Sequence, residues 1–296
     1  MYRVEKLGKG CISAKVVADS VCSHTGTRVT TFELEYPRFI HSELMTHRMF
    51  SRNAASSRAI PVEKMLEQIR TTPASPVHWG ANQSGMQANE ELNRDAKLIV
   101  LEEWLKASCS AVQHAKRMSD YGAHKQIVNR ILEPFQIMKT VVTATEWNNF
   151  WYLRAHKDAQ PEIQELATVM KECYELSEPV VLKRDEWHTP YYKTGYWFSG
   201  HEDGLGDALA ISSSCCAQVS FRLLDDSLDK AKRIYDRLVA SKPVHASPFE
   251  HQATPMTGDV WDAGTTHKDA YGELWSGNFK NWVQHRQIIK DNVVEG

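Results

Sequence analysis

Between Thr46 and Ile60 the chain reads THRMFSRNAASSRAI, a run with three arginines, three serines, a histidine and an asparagine, and no Asp or Glu. An arginine presents a planar fork of N–H donors that fits phosphate oxygens or the carbonyl edge of a base. Ser51, Ser56 and Ser57 add hydroxyls, and a loop backbone adds amide N–H groups. With no carboxylate in the run, its neutralising charge comes from elsewhere, and a bound anion is one candidate. The plain alternative is a solvated loop whose arginines pair with distant carboxylates. Composition alone leaves both open.

Three other clusters carry chemistry. In HKQIVNRILEP, His124 to Pro134, a helix would place Gln126 and Arg130 on one side with His124 nearby, lining a cleft or forming a solvated face. In the stretch from Thr143 to Gln164, Asn148, Asn149 and Arg154 lie among Trp147, Phe150, Trp151, Tyr152 and Leu153. A buried polar group without a partner costs about 1–3 kcal/mol. A planar heterocycle with carbonyl and N–H edges would satisfy these, as would local backbone. In HASPFEH, His245 to His251, the Ser-Pro turn brings His245, Ser247 and Glu250 together, and His with Glu is a candidate acid–base pair. G-x-G-x-x-G and G-x-x-x-x-G-K-[ST] are absent, so neither a standard dinucleotide fold nor a P-loop is supported.

The elements that must position these residues follow from periodicity. Residues 13–36 read as a β-hairpin: SAKVVADSV is β-branched, HTG supplies a turn, and Phe32, Leu34 and Tyr36 alternate with Glu33 and Glu35. Pro37 ends the strand, and FIHSELMTHRMF has helical spacing with Phe39, Ile40, Leu44 and Met45 on one side. The Thr46–Ile60 run is then expected at a helix end and in the loop beyond. Residues 71–87, rich in Pro, Gly and Ser, read as a long loop. A helical region spans about 89–132, broken near Tyr121-Gly122 and stopped at Glu133-Pro134; its apolar set includes Leu92, Leu98, Val100, Leu101, Trp104 and Leu105. AQPEIQELATVMKECYEL is a second helix. Residues 184–206 form an aromatic, Gly-containing loop, which includes Trp187-His188-Thr189-Pro190. DDSLDKAKRIYDRLVAS is an amphipathic helix with Leu228, Ala231, Tyr235 and Leu238 on one face, capped by Asp225 or Asp226. VHASPFEHQATPM is a loop leading into a short strand, and Leu274 to His285 has helical character. With no clean linker, the 296 residues read as one α/β domain, a mixed sheet flanked by helices with helical insertions.

Bulk properties limit the partners. A net charge of −2 argues against broad nucleic-acid binding, so any phosphate site is local. No apolar run is long enough to span a membrane, and MYRVEKLGKG lacks the apolar core of a signal peptide. The six cysteines show no C-x-x-C spacing and read as free thiols in a reducing cytoplasm. The thirteen histidines form no tight metal pattern, so no metal site is expected.

Taken together, the four clusters resemble the flavin-dependent thymidylate synthases. That family carries R-H-R-x-x-S-x-N-x-x-S-x-R-Y, against T-H-R-M-F-S-R-N-A-A-S-S-R-A here, with His47, Arg48, Ser51, Asn53, Ser56 and Arg58 matching. NNFWYLRAHKDAQPEIQ is similar to its N-F-x-x-L-R…A-Q-x-E-I segment, RILEP to its R-I-x-x-P helix end and HASPFEH to its H-x-T-P-F-E-H. Thr46, Ala54 and Ala59 depart from the signature, and Arg52 is an extra arginine that stands in for the one lost at Thr46. In shorter members H-x-T-P-F-E-H precedes the signature; here it follows by some 200 residues, with CCAQVSF, similar to the family's A-R-V-S-F, ahead of it and NWVQHRQ, a faint echo of LMTHRMF, after it. The order implies a permuted or partly duplicated set of the same pieces.

The resemblance implies an α/β fold and a homo-oligomer, a tetramer, with sites at subunit contacts. It implies FAD held by His47, Arg48, Asn53, Asn149, Ser220, His245, Ser247 and Glu250. Ser56, Ser57, Arg58, Arg130 and Arg154 would hold the nucleotide, with Glu43 where the family often has glutamine. The activity implied is methylation of dUMP at C5, with methylenetetrahydrofolate as carbon donor and NADPH as reductant. No cysteine lies in the four matched motifs, so activation by arginine donors is expected, Arg154 foremost. The rival readings are a pyrimidine nucleotide hydroxymethylase or dCMP methylase, for which Thr46 and Ala54 leave room, and a non-catalytic nucleotide-binding homologue.

Overall fold

Alternation of side chains decides the central sheet. The computed structural model describes residues 4–219, 225–258 and 261–293. Strand β1 (Glu5–Leu7) leads into the expected hairpin, β2 (Ser13–Cys22) and β3 (Arg28–Pro37), paired from Ser13↔Glu35 to Val21↔Arg28 with a bulge between Val16 and Ala18. A 3-10 turn (Arg38–Ile40) and a short helix α1 (His41–Met45) follow. The chain then returns as a strand, β4 (Ser51–Ala54), where a loop was expected. Helices α2 (Val62–Thr71), α3 (Arg94–Asp120) and α4 (Lys125–Val128) lead to a 3-10 segment, Asn129–Phe135. Strand β5 (Ile137–Ala144) pairs with β3 on one side and β4 on the other. Helices α5 (Asn148–Arg154) and α6 (Pro161–Leu176) then reach β6 (Val180–Leu182), which runs parallel to β2 and makes the sheet mixed. The order across the sheet is β1-β2-β3-β5-β4, with β6 sharing the β2 edge.

One face of this sheet is apolar. Ala14, Val16, Phe32, Leu34, Tyr36, Met138 and Val142 pack against Trp147 and Phe150 around α5 and against Ile163, Leu166, Met170 and Cys173 of α6. The hydrophobic stripe of α6 buries here after Gln160 caps it and Pro161 opens it. The other face is covered by the C-terminal half of the chain. Short strands β7 (Trp187–His188) and β8 (Tyr196–Trp197) precede α7 (Leu205–Gln218) and α8 (Leu228–Ala240). A 3-10 turn at Ser247–Glu250 leads to β9 (Ala253–Pro255), then β10 (His267–Lys268), β11 (Leu274–Ser276), β12 (Phe279–Lys280) and β13 (Trp282–Gln284). These form two small sheets, β13-β9-β7-β8 and β10-β11-β12.

The helical insertion is a satellite core. Met65, Leu66 and Ile69 of α2 meet Val112 and Ala115 of α3, with Val128, Leu132 and Phe135 beneath. Two expectations are corrected here. Leu98, Val100 and Leu105 of the expected apolar set are exposed, because the first half of α3 extends past α2, which covers only its second half; Trp104 is the one that packs. The tail from Leu274 to Gln284 is three short strands instead of a helix, because Gly277-Asn278 closes a two-residue hairpin between Ser276 and Phe279, with Gly277 at φ +60°. Among the described residues no helix is long and apolar enough to cross a membrane.

Candidate functional site

Helix α1 stops after one turn because an arginine ends it. Arg52 Nη1 donates to the carbonyl oxygens of Leu44 (3.3 Å), Met45 (2.9 Å) and His47 (3.2 Å). Leu44 and His47 also accept from the backbone N–H groups of His47 and Phe50 (3.3 Å each), whereas Met45 takes its hydrogen bond from the arginine. Met45, expected inward, is therefore at the surface, while Ile40 and Leu44 stay buried. The turn sets His47 against Phe50 and Phe150. Arg154, at the end of α5, reaches across: its Nε donates to His47 Nε2 (3.0 Å), Nη1 to Glu43 Oε2 (3.2 Å) and Nη2 to Thr46 Oγ1 (3.2 Å). Burial first, then Arg154 and Arg52, hold the His47 imidazolium down to a pKa of about 4. The ring is thus neutral at pH 7, and accepting at Nε2 leaves its proton on Nδ1. Glu43, with charge opposite to that of Arg154, is engaged inside the protein.

On the far side of Arg52 lies a cleft of about 370 Å³. Arg52, Asn53 and Ala54 of β4 form one wall, and His245, Ser247 and Pro248 the other. Cys216, Ala217 and Val219, at the end of α7, make the floor with Leu238 of α8. Asn53 Nδ2 donates to the Cys216 carbonyl oxygen at 3.4 Å, and the register Asn53↔Val141 turns it to the α7 side of the sheet. His245 and Ser247 are exposed. Among the described residues the lining holds donors (guanidinium, amide, imidazole, hydroxyl) and short apolar groups, with no carboxylate. That set suits phosphate or carbonyl oxygens beside a flat ring.

Glu250 does not form the expected pair with His245. Its carboxylate is bound to Arg286, and burial raises its pKa while Arg286, Arg52 and Ser51 pull it down. The 3-10 turn sends Glu250 inward and leaves His245 at the rim. Ser57 Oγ donates to Glu133 Oε1 at 2.6 Å, and the same oxygen receives Arg130 (3.0 Å) and Arg38 (3.2 Å). These form a second cluster around Asn129, whose amide donates to the carbonyls of Ser57 and Ile60. Gln126 and Arg130 lie on a solvated face, and His124 caps α4 instead of joining them. Arg48, Ser56, Arg58 and Asn149 are exposed and their side chains bond no other described residue. Asn148 is exposed too, so only Arg154 of the third cluster needed the internal partners expected for it. Ser220 lies outside the described residues.

Sequence reasoning did not single out Leu238, Asn278 or Gln284. Leu238 was read only as part of a helix face. Asn278 and Gln284 fell in the misread tail, where the Gly-Asn pair was the available signal.

With this geometry in place, comparison with known proteins gives a family. The family described as "Thymidylate synthase complementing protein" matches residues 14–180, more than half of the chain. Comparison with curated proteins finds no match. Among solved structures, the chain is similar to a UMP/dUMP methylase, PolB, from Streptomyces cacaoi bound with 5-Br dUMP: 16% identity, TM-score 0.47, covering 57% of this chain and 92% of that one. The same protein bound with 5-Br UMP gives 18% identity and a TM-score of 0.45, over 55% and 88%.

Proposed function

Because the chain belongs to the thymidylate synthase complementing proteins, the flavin-dependent thymidylate synthase family, we propose that it binds FAD and dUMP at the cleft beside β4 and methylates the uracil at C5. Methylenetetrahydrofolate would be the carbon donor and NADPH the reductant. The observation that carries this reading is the convergence at one cleft of Arg52 and Asn53 with His245 and Ser247, from segments roughly 190 residues apart. On this reading residues 1–296 are one domain whose motifs are permuted in order and rejoined in space.

The residues present fit the cofactor. Donors without a competing carboxylate suit its phosphates and ring carbonyls, and Ala217, Val219, Leu238 and Pro248 suit its flat ring. Bound there, FAD supplies the redox chemistry that completes the methyl group. The chain's own task is to make C5 nucleophilic. Arg154 does not line this cleft of its own chain, and it keeps two N–H groups beyond those given to His47, Glu43 and Thr46. Presented to the cleft of a neighbouring copy at a subunit contact, these would stabilise negative charge building on the pyrimidine carbonyls. Glu43 and His47 orient its guanidinium. Ser56 and Arg58 remain as phosphate donors, while Ser57 and Arg130 would first have to leave Glu133.

The reading includes assembly. Small-molecule sites run from about 300 to 1,000 Å³, and a cleft of about 370 Å³ is at the low end for a dinucleotide and a nucleotide together. Arg48, Arg58 and Asn149 point donors outward. A homo-oligomer, a tetramer, with sites at subunit contacts would supply the missing walls.

The test is the absorbance spectrum of the purified protein, then reoxidation of its reduced flavin with and without dUMP, and the mass of the product from dUMP and from dCMP. A flavin spectrum and a methylated dUMP product are expected. A colourless protein that takes up no FAD would refute the enzyme, and a hydroxymethyl product or a preference for dCMP would select the related reaction. Light scattering reads the subunit count.

A further inference from the structure

Ser51, at the start of β4, is fully buried, and a side chain from the opposite end of the chain meets it there. Gln284, the last residue of β13 and also buried, donates from Nε2 to Ser51 Oγ (3.1 Å), to the Glu250 carbonyl oxygen (3.1 Å) and to Asn278 Oδ1 (2.9 Å). Ser51 is followed at once by Arg52 and Asn53, one wall of the cleft. Glu250 ends the turn that starts at Ser247 and carries the other. The amide of Gln284 therefore bonds to both walls. It shares two hydrogens among three acceptors.

Its backbone holds the amide steady. Gln284 is registered against Ala253, three residues after Glu250, and its N–H donates to Ser276 Oγ at 3.0 Å. Asn278, in the hairpin turn, adds a strut: its Nδ2 donates to the Met49 carbonyl oxygen (2.9 Å) and to Ser51 Oγ (3.1 Å). Both residues lie beyond the segment, residues 14–180, that the family match covers.

We propose that Gln284 is a positioning residue that fixes the separation of the two cleft walls, an inference that rests on reading this cleft as the flavin and nucleotide site. A misplacement near 1 Å at such a site costs up to about a hundredfold in rate.

The test is hydrogen exchange on the full-length chain, with Gln284→Leu against wild type. The leucine keeps the volume and removes both donors. Exchange should rise about tenfold or more in residues 50–54 and in residues 247–252, with α6 and the β2–β3 hairpin unchanged. The KM for dUMP and the Kd for FAD should rise by about tenfold or more, with a smaller fall in kcat. Wild-type exchange at both walls, or a change confined to one, overturns the proposal. If Gln284→Leu does not fold, Ser51→Ala decides: the β4 wall should loosen while residues 247–252 stay protected, and loosening of neither overturns it. A wild-type chain that takes up neither FAD nor dUMP would remove the functional reading, and the exchange pattern would still decide the clamp.

Discussion

Arg154 and Cys216 give the sharpest tests at the scale of single residues. Arg154 is held at three nitrogens by three different acceptors, so its free N–H groups point in a defined direction. Removing one preorganised donor of a developing anion typically costs about 10²–10³ in turnover. Arg154→Ala should lower kcat by about that factor, and Arg154→Lys should not restore it, because a single ammonium cannot serve all three acceptors at once. Steady-state kinetics with dUMP check this, and wild-type turnover in either variant would remove Arg154 from the mechanism. Among the described residues Cys216, in the CCAQVSF stretch, is the thiol on the cleft floor. Burial pushes its pKa well above the ordinary thiol value, and Cys215 beside it is pushed up to about 12. A protonated thiol is a poor nucleophile. Cys216→Ser should therefore keep turnover within a few-fold of wild type, and total loss would point to attack by this sulfur.

At the scale of elements, Arg52 joins the two halves of the site by ending α1 and starting one wall. Arg52→Ala removes the charged donor shared by three carbonyl oxygens of α1 and its turn, and leaves that of Met45 without a partner, while those of Leu44 and His47 keep a backbone N–H. Partly buried hydrogen bonds to a charged group are worth about 1.5–3 kcal/mol, so a loss of that order is expected in urea unfolding. Arg52→Lys should recover only part of it. The elements also show what a single sequence makes legible. The β2–β3 hairpin is covered on both faces, and only the half-buried Glu33 and Glu35 between Phe32, Leu34 and Tyr36 give it a visible alternation. Helices α6 and α8 were readable because each has one wet side and one dry side, which stamps a period on the sequence. Helix α7 was not, because it is buried nearly all round: Ser212, Ser213, Ser214, Cys215 and Cys216 are all inside, and a serine run has no strong helix preference. Strand β4 is a polar sheet edge of only four residues, too short and too mixed to alternate visibly. The long loop after α2 was legible from its prolines and glycines, although bonds such as that from Trp104 Nε1 to the Ala74 carbonyl oxygen pin it down. Of the site, the residue types were legible from the motifs. Their grouping was not, since neither Glu133 gathering Ser57 and Arg130 nor Glu250 turning to Arg286 has a local signature. The exposed half of α3 gives one more test. Leu98→Ser should change unfolding stability by less than about 0.5 kcal/mol, as expected for a surface position, whereas Val112→Ala, under α2, should cost about 0.5–1.5 kcal/mol or more.

The whole molecule is a sheet with unlike faces, and the polar one sets its response to pH. Between the sheet and the C-terminal half runs a buried chain without a carboxylate: Ser20 Oγ with His188 Nδ1 (2.9 Å), His188 Nε2 with Thr31 Oγ1 (2.8 Å), Thr31 with Thr143 (2.7 Å), and Thr143 Oγ1 with His251 Nδ1 (2.8 Å). This is how His188, from the Trp187–Pro190 stretch, is used: it ties β7 to β2 and β3. Burial drives both His188 and His251 down to a pKa of about 3. In the unfolded chain each titrates near 6.5. Between those values the unfolded state binds more protons than the folded one, so stability rises with pH across the window. The contribution is fully present above about pH 6.5 and is lost as pH falls toward 3. Each histidine accounts for on the order of a few kcal/mol by pH 4, a large share of the 5–15 kcal/mol that holds a domain together. Urea midpoints taken from pH 7.5 down to 4.5 should therefore fall steeply below about pH 6.5. In His251→Gln, where the amide can still bond Thr143 and cannot take up a proton, the slope should be shallower by about one proton. A midpoint that stays flat between pH 6.5 and 4.5 in the wild type would mean that the two imidazoles accept protons without parting the C-terminal half from the sheet.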